Sequence, residues 1–210
     1  MRMRIATRLC LVTPSAIGPN FDNDLDAALS GGDVASLIIA PGERDPAALH
    51  AAAEKLAPIA KRHDVAALIV GLDAPMVDGF HVEGGVADLR AALARHRPQR
   101  IVGAGGIRSR DDAMTLGELE PDYLFFGRLD GDTAPALHQK SLELASWWSA
   151  LFVIPAIIMG GWDLASAAEA AAAGIEFVAL RRAVWDHEAG PKQAVAAANR
   201  LLAETVEIAR

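Results

Sequence analysis

Phe152-Val153-Ile154-Pro155-Ala156-Ile157-Ile158-Met159-Gly160-Gly161 is an apolar run that stops on a double glycine. About twenty residues on, a second run, Phe177-Val178-Ala179-Leu180, stops at Arg181-Arg182. Between them, Ala165 to Ala173 reads as one alanine-rich helix closed by Gly174. The order is strand, glycine turn, helix, strand, with basic residues at the second strand's tip. Continuous apolar runs of this kind suit parallel strands buried on both faces. In (β/α)8 barrels the last two β→α loops frequently hold a phosphate group. Glycine lets backbone N–H groups approach an anion with no Cβ in the way. The stretch therefore points to a barrel and to an anionic ligand together. Gly160, Gly161, Arg181 and Arg182 are the candidate phosphate-binding residues.

The same alternation runs outward from this stretch along the whole chain. Strands are expected at Ile5–Val12, Val34–Ala40, Ala66–Val70, Gly79–Val82, Arg100–Gly103, Tyr123–Gly127, Val153–Met159 and Ile175–Leu180. Helices are expected near Asp24–Ser30, Pro46–Arg62, Val86–His96, Ser109–Gly117, Pro135–Ala150, Leu164–Ala173 and Pro191–Ile208. Asp45-Pro46, Gly190-Pro191 and Ser109-Arg110-Asp111-Asp112 look like helix starts. Only Leu72 to Asp78 separate the third and fourth strands, too short for a crossover helix, so a single turn or loop belongs there. No composition break marks a second domain. The expected fold is one TIM barrel over residues 1–210, with the helix between strands three and four shortened or missing.

The 210 residues suffice for one such barrel. A hydrophobic content of 52% excludes a disordered chain. The formal net charge of −7 and the lack of a basic stripe argue against nucleic acid and anionic membrane as partners. An anionic substrate would then need a local cationic pocket. Cys10 stands alone, so no internal disulfide can form, and a reducing, cytoplasmic setting fits. Cys10 reads as a small core residue. Leu144 to Trp162 is uncharged and long enough to span a bilayer, but Pro155 and Gly160-Gly161 interrupt it, and it fits a helix end plus a buried strand. Trp147-Trp148 could mark either a homodimer contact or buried packing.

Strand C-terminal tips face the active-site mouth of such a barrel. Here they offer Thr13, Asp73, His81, Glu83, Arg108, Arg128, Asp130, Asp132, Arg181 and Arg182. The arginines would make a cationic bowl able to grip phosphate bidentately, and each also reads as a surface ion pair. His81 is a candidate general acid or base near neutral pH, or a hydrogen-bonded barrel histidine. Asp130 and Asp132 flank a glycine and read as turn residues. Trp162 reads as rim packing or as a stacking surface. No zinc spacing, Walker loop, dinucleotide fingerprint or nucleophile elbow is present.

Several phrases fall in order along the strands: Leu11-Val12-Thr13-Pro14, Ala28-Leu29-Ser30-Gly31-Gly32, Asp78-Gly79-Phe80-His81-Val82, Ile101-Val102-Gly103-Ala104-Gly105 and Pro121 to Gly127. Pro155 to Gly161 and Ala173 to Ala179 complete the set. Together they resemble the thiamine phosphate synthase family, which includes a thiazole tautomerase branch. The resemblance implies a (β/α)8 barrel that joins a pyrimidine methyl diphosphate to a thiazole phosphate and releases diphosphate. It also implies Mg2+ at the leaving group and a transition state with carbocation character. The substrate would be a phosphorylated small molecule. Asp73 and Asp88 are the candidate metal ligands, and Arg128 and His81 the candidate catalytic residues.

The chain departs from the family at many of these places. The family's Gln-x-Arg-x-Lys on strand two would fall on Leu37, Ile39 and Pro41. Its serine after strand five is Gly105, its Thr-x-Thr-Lys loop after strand six has no matching lysine, and Arg128 stands where the tautomerase branch has histidine. Three readings stay open: the transferase, a catalytically degenerate barrel that binds a phosphorylated ligand, and a tautomerase-type isomerase.

Overall fold

The computed structural model describes residues 6–208. Eight parallel strands close into one barrel: β1 (Arg8–Val12), β2 (Ser36–Ile39), β3 (Ala66–Val70), β4 (Gly79–Val82), β5 (Ile101–Ile107), β6 (Tyr123–Phe126), β7 (Ala156–Met159) and β8 (Phe177–Leu180). β8 pairs with β1 to complete the ring. Around it lie α1 (Phe21–Leu29), α2 (Pro46–Arg62), α3 (Val86–His96), α4 (Arg110–Gly117), α5 (Gln139–Leu151), α6 (Ala165–Ala172), α7 (Arg182–Trp185) and α8 (Pro191–Ile208). The chain passes from β3 to β4 with no helix, as the short segment requires. No helix among the described residues is long and apolar enough to cross a membrane.

The helix starts follow local chemistry. Asp45 caps α2 by accepting the Ala48 N–H at 2.8 Å, with Pro46 in the first turn. Ser109 Oγ accepts the Asp112 N–H at 3.1 Å and caps α4. The expected start of the fifth helix at Pro135 is wrong by about one turn. Residues 134 and 135 instead run across the end of β7, where Ala134 O accepts the Trp162 N–H at 2.9 Å and Pro135 O the Asp163 N–H at 3.3 Å. A tertiary contact outcompetes the helix there. Trp147-Trp148 resolves toward packing: Trp148 is 1% exposed and donates Nε1–H to Ile154 O at 2.8 Å. Trp147 is half-buried beneath the Arg110 guanidinium.

The strand period of two sorts every strand into two faces. Leu9, Leu11, Leu37, Ile39, Ile69 and Phe126 pack outward under the helices. Cys10, Val12, Ile38, Ala40, Leu68, Tyr123, Phe125, Ile157 and Met159 fill the barrel. Burial pushes the Cys10 thiol up to about 11, consistent with an inert core residue. The two faces correct one expectation. Leu37 and Ile39 point to the helix layer, so they cannot stand for polar groups that face a ligand. The inward positions of β2 are Ser36, Ile38 and Ala40, because a one-residue slip exchanges the two faces.

Candidate active site

A cavity of about 960 Å³ opens at the C-terminal ends of the strands. Its wall carries Arg108, Arg128, Lys140 and Arg181, with carboxylates at Glu43, Glu83 and Asp130. Among the described residues, Arg108 and Lys140 have no ion-pair partner. Concentrated positive charge in a concave mouth attracts anions even when the whole chain is acidic.

Arg181 is the best-anchored of these groups. It follows β8, and its guanidinium pairs with Asp132 from the β6–α5 loop and donates to Ser15 Oγ at 3.1 Å. Its side chain is only 11% exposed and that of Asp132 is fully buried. Asp132 also accepts the Arg182 backbone N–H at 2.9 Å, which fixes the chain direction into α7. Asp132 is therefore a tertiary clasp and not a turn residue. Arg44 makes a second clasp. Its guanidinium donates to Pro14 O, Ser15 O, Thr13 Oγ1 and Ala40 O, tying the loop after β1 to the end of β2.

The other candidates separate. Arg128 reaches the mouth but is mostly exposed and pairs with Asp130 at 2.8 Å, which holds the Asp130 carboxyl below its usual range. Arg182 turns onto Asp186 at 3.0 Å, one helical turn on, and does not line the cavity with Arg181. The Gly160 N–H donates to Ala179 O at 2.8 Å in the barrel ladder. Gly161 is buried beneath the Ala134–Pro135 backbone, and a Cβ there would collide with Pro135 O. The double glycine thus lets the β6–α5 loop approach closely. Asp73 pairs with Arg95 of α3 and Asp88 is exposed in the first turn of α3. Neither lines the cavity. Among the described residues no three His, Cys, Asp or Glu side chains gather as a cation site. The donor set does not fit the expected Mg2+ site, because Asp73 is held by Arg95 and Asp88 stands exposed on α3, both away from the cavity.

His81 lies inside the barrel with 0% exposure. Its Nδ1 meets Tyr123 Oη at 2.9 Å, and its ring packs edge-on against Phe125. Burial pulls the imidazole down to about 4, so it stays neutral at physiological pH and does not titrate near neutrality as expected. The folded value lies below the unfolded value of 6.5, so the unfolded chain binds the extra proton between them. Stability should fall as pH drops from 6.5 to 4, by on the order of 3 kcal/mol from this group. Urea midpoints measured across that window check it; a His81→Gln variant that keeps the same slope would refute the assignment.

Sequence reading missed Lys140, His138 and Ser15 as cavity residues. Lys140 sits at the start of α5, past the irregular 134–138 segment, so no fixed spacing from β6 could place it.

The fold and the site together define a (β/α)8 barrel with a cationic cavity at the C-terminal ends of its strands. More narrowly, the chain belongs to the thiamine monophosphate synthase family, whose model matches residues 9–184. It is 34% identical to the thiamine-phosphate synthase of Hyphomonas neptunium, over 94% of this chain and 95% of that one. It is likewise 34% identical to that of Rhodospirillum centenum, over 93% and 97% of the two chains. Among solved structures, the thiamine phosphate pyrophosphorylase of Pyrococcus furiosus superposes with a TM-score of 0.78 at 19% identity, covering 97% of this chain and 98% of that one. The (S)-3-O-geranylgeranylglyceryl phosphate synthase of Thermoplasma acidophilum shares the fold with a TM-score of 0.68 at 14% identity, over 95% and 94%.

Proposed function

We propose that the chain is a thiamine-phosphate synthase-type transferase, joining a pyrimidine methyl diphosphate to a thiazole phosphate. The methylene C–O bond breaks as diphosphate leaves, and the thiazole nitrogen forms the new C–N bond. The observation that carries this reading is the mouth lined by Arg108, Arg128, Lys140 and Arg181. Arg108, Arg128 and Lys140 would receive the departing diphosphate, where charge grows as the bond breaks. Arg181, held by Asp132, would take the thiazole phosphate. A preset guanidinium needs little reorganisation as the reaction proceeds.

The test is thiamine phosphate formation from the two substrates. Arg181→Ala and Arg128→Ala should each lower kcat/KM about 10- to 100-fold, the scale of one charge-assisted contact. Asp73→Ala should stay within about twofold, as expected of an exposed surface pair. The apolar residues Ile38 and Ala40, on the inner side of β2 and just past its end, favour a second reading, a barrel that binds a phosphorylated ligand without turnover. Calorimetric binding of the thiazole phosphate with no product formed would decide for it.

A further inference from the structure

Among the described residues, the buried side-chain nitrogens without a partner are Arg44 Nε and His81 Nε2. Arg44 is already bonded through its other guanidinium nitrogens. His81 Nε2 is different, because it is half of the ring's hydrogen-bonding capacity. Its direction is fixed by the surroundings. Gly105 leaves the space that a Cβ would fill, 2.7 Å from Nε2. Glu83, two residues along β4's exit, has Oε1 3.9 Å from the same nitrogen.

The proton count assigns the tautomer. Burial keeps the Tyr123 phenol well above its usual pKa, so its proton is present. Among the described residues Tyr123 Oη has His81 Nδ1 as its hydrogen-bond partner. If Nδ1 carried the ring proton, the phenol proton would lack an acceptor and Nε2 would be bare. If Tyr123 donates to Nδ1, the ring proton sits on Nε2 and leaves one unmet donor facing Glu83. The second arrangement strands fewer buried groups.

Glu83 lines the cavity, 42% exposed, and can rotate. Closing on Nε2 needs a movement of about 1 Å to reach ordinary N–H···O distance. Asp130, across the mouth, is occupied by Arg128. Ile107, Leu129 and Met159 give the cavity apolar surface.

We propose that Glu83, gripped by His81 Nε2–H, is the floor of a subsite for a nitrogen heterocycle that carries an N–H donor and an anionic tail. One carboxylate oxygen accepts a hydrogen bond from the imidazole Nε2–H, and the other accepts from the N–H of the ligand's ring. Ile107, Leu129 and Met159 pack on the ring faces, and the basic rim takes the tail. The inference rests on the transferase reading in one respect: the pyrimidine methyl diphosphate is the ligand whose ring would fill the subsite.

The experiment compares calorimetric binding of the pyrimidine methyl diphosphate and of inorganic diphosphate to the wild type and to Glu83→Gln. The variant should bind the pyrimidine compound about tenfold more weakly, since a charge-assisted acceptor is replaced by a neutral amide. Inorganic diphosphate should bind the variant equally or more tightly, because a negative charge is gone. Equal weakening of both ligands, or of neither, overturns the proposal. If the wild type binds inorganic diphosphate but not the pyrimidine compound, the transferase reading fails by itself. The subsite is then judged by nitrogen NMR of His81 with 4-aminopyrimidine. An Nε2–H signal that moves on adding the ring in the wild type, and not in Glu83→Gln, sustains it. An Nδ1–H tautomer, or no response to the ring, overturns it.

Discussion

Asp132→Ala should lower stability by about 3–5 kcal/mol, because it leaves the Arg181 guanidinium enclosed without a counter-charge. The carboxylate is fully buried and the arginine side chain 11% exposed, so water reaching Arg181 from the cavity replaces the lost partner only in part. The substitution also frees the Arg182 N–H and the β6–α5 loop that lies on Gly161. The readout is the urea midpoint at unchanged denaturant slope. Arg181→Ala should cost a similar amount, since it strands the carboxylate instead. The double variant Asp132→Ala, Arg181→Ala should cost much less than the sum, because neither charge then remains unpaired. Additive losses would mean that the two side chains act separately and that the clasp is not a unit. Activity should fall with stability in Asp132→Ala, and a normal KM for the thiazole phosphate in that variant would remove Arg181 from the phosphate site.

Gly103→Ala should cost about 3 kcal/mol, at the upper end of what an overpacked core methyl does. The Tyr123 ring lies where the new Cβ would go, and that ring is enclosed at 5% exposure. It has no free rotamer to retreat to, because interiors are packed at crystal-like density. Moving it would also break the bond to His81 Nδ1. Thermal unfolding of the single variant and of Gly103→Ala, Tyr123→Leu measures the effect. The smaller side chain should recover a substantial part of the loss. No recovery would place the strain in the β5 backbone instead of the ring contact. Gly105 plays the same part for His81, so the two glycines of β5 accommodate the two rings that carry the polar interior.

The strands, the helix caps and the absent helix before β4 were legible in the chain itself. Each rests on local rules: apolar period, an oxygen at a helix start, and too few residues for a crossover. Arg181 and Arg128 were legible as mouth residues for the same reason, since a residue just past a barrel strand stands at its mouth. The faces of β2 were not. An unbroken apolar run such as Leu37–Ala40 has no alternation to show which side is inward, and a one-residue slip reverses it. The Asp132–Arg181 clasp joins residues 49 apart, and the His81–Tyr123 pair joins residues 42 apart. No spacing rule reaches that far. Local chemistry therefore read Asp132 as a turn residue and left His81 open between a neutral-pH acid or base and a hydrogen-bonded barrel histidine. Burial then decided both: a carboxylate out of water must find a cation, and an imidazole out of water must stay uncharged. The sequence by itself determined the barrel and the placing of cations at its mouth. Only the tertiary structure decided which of them is anchored, because anchoring is a property of what surrounds a side chain after the strands have closed.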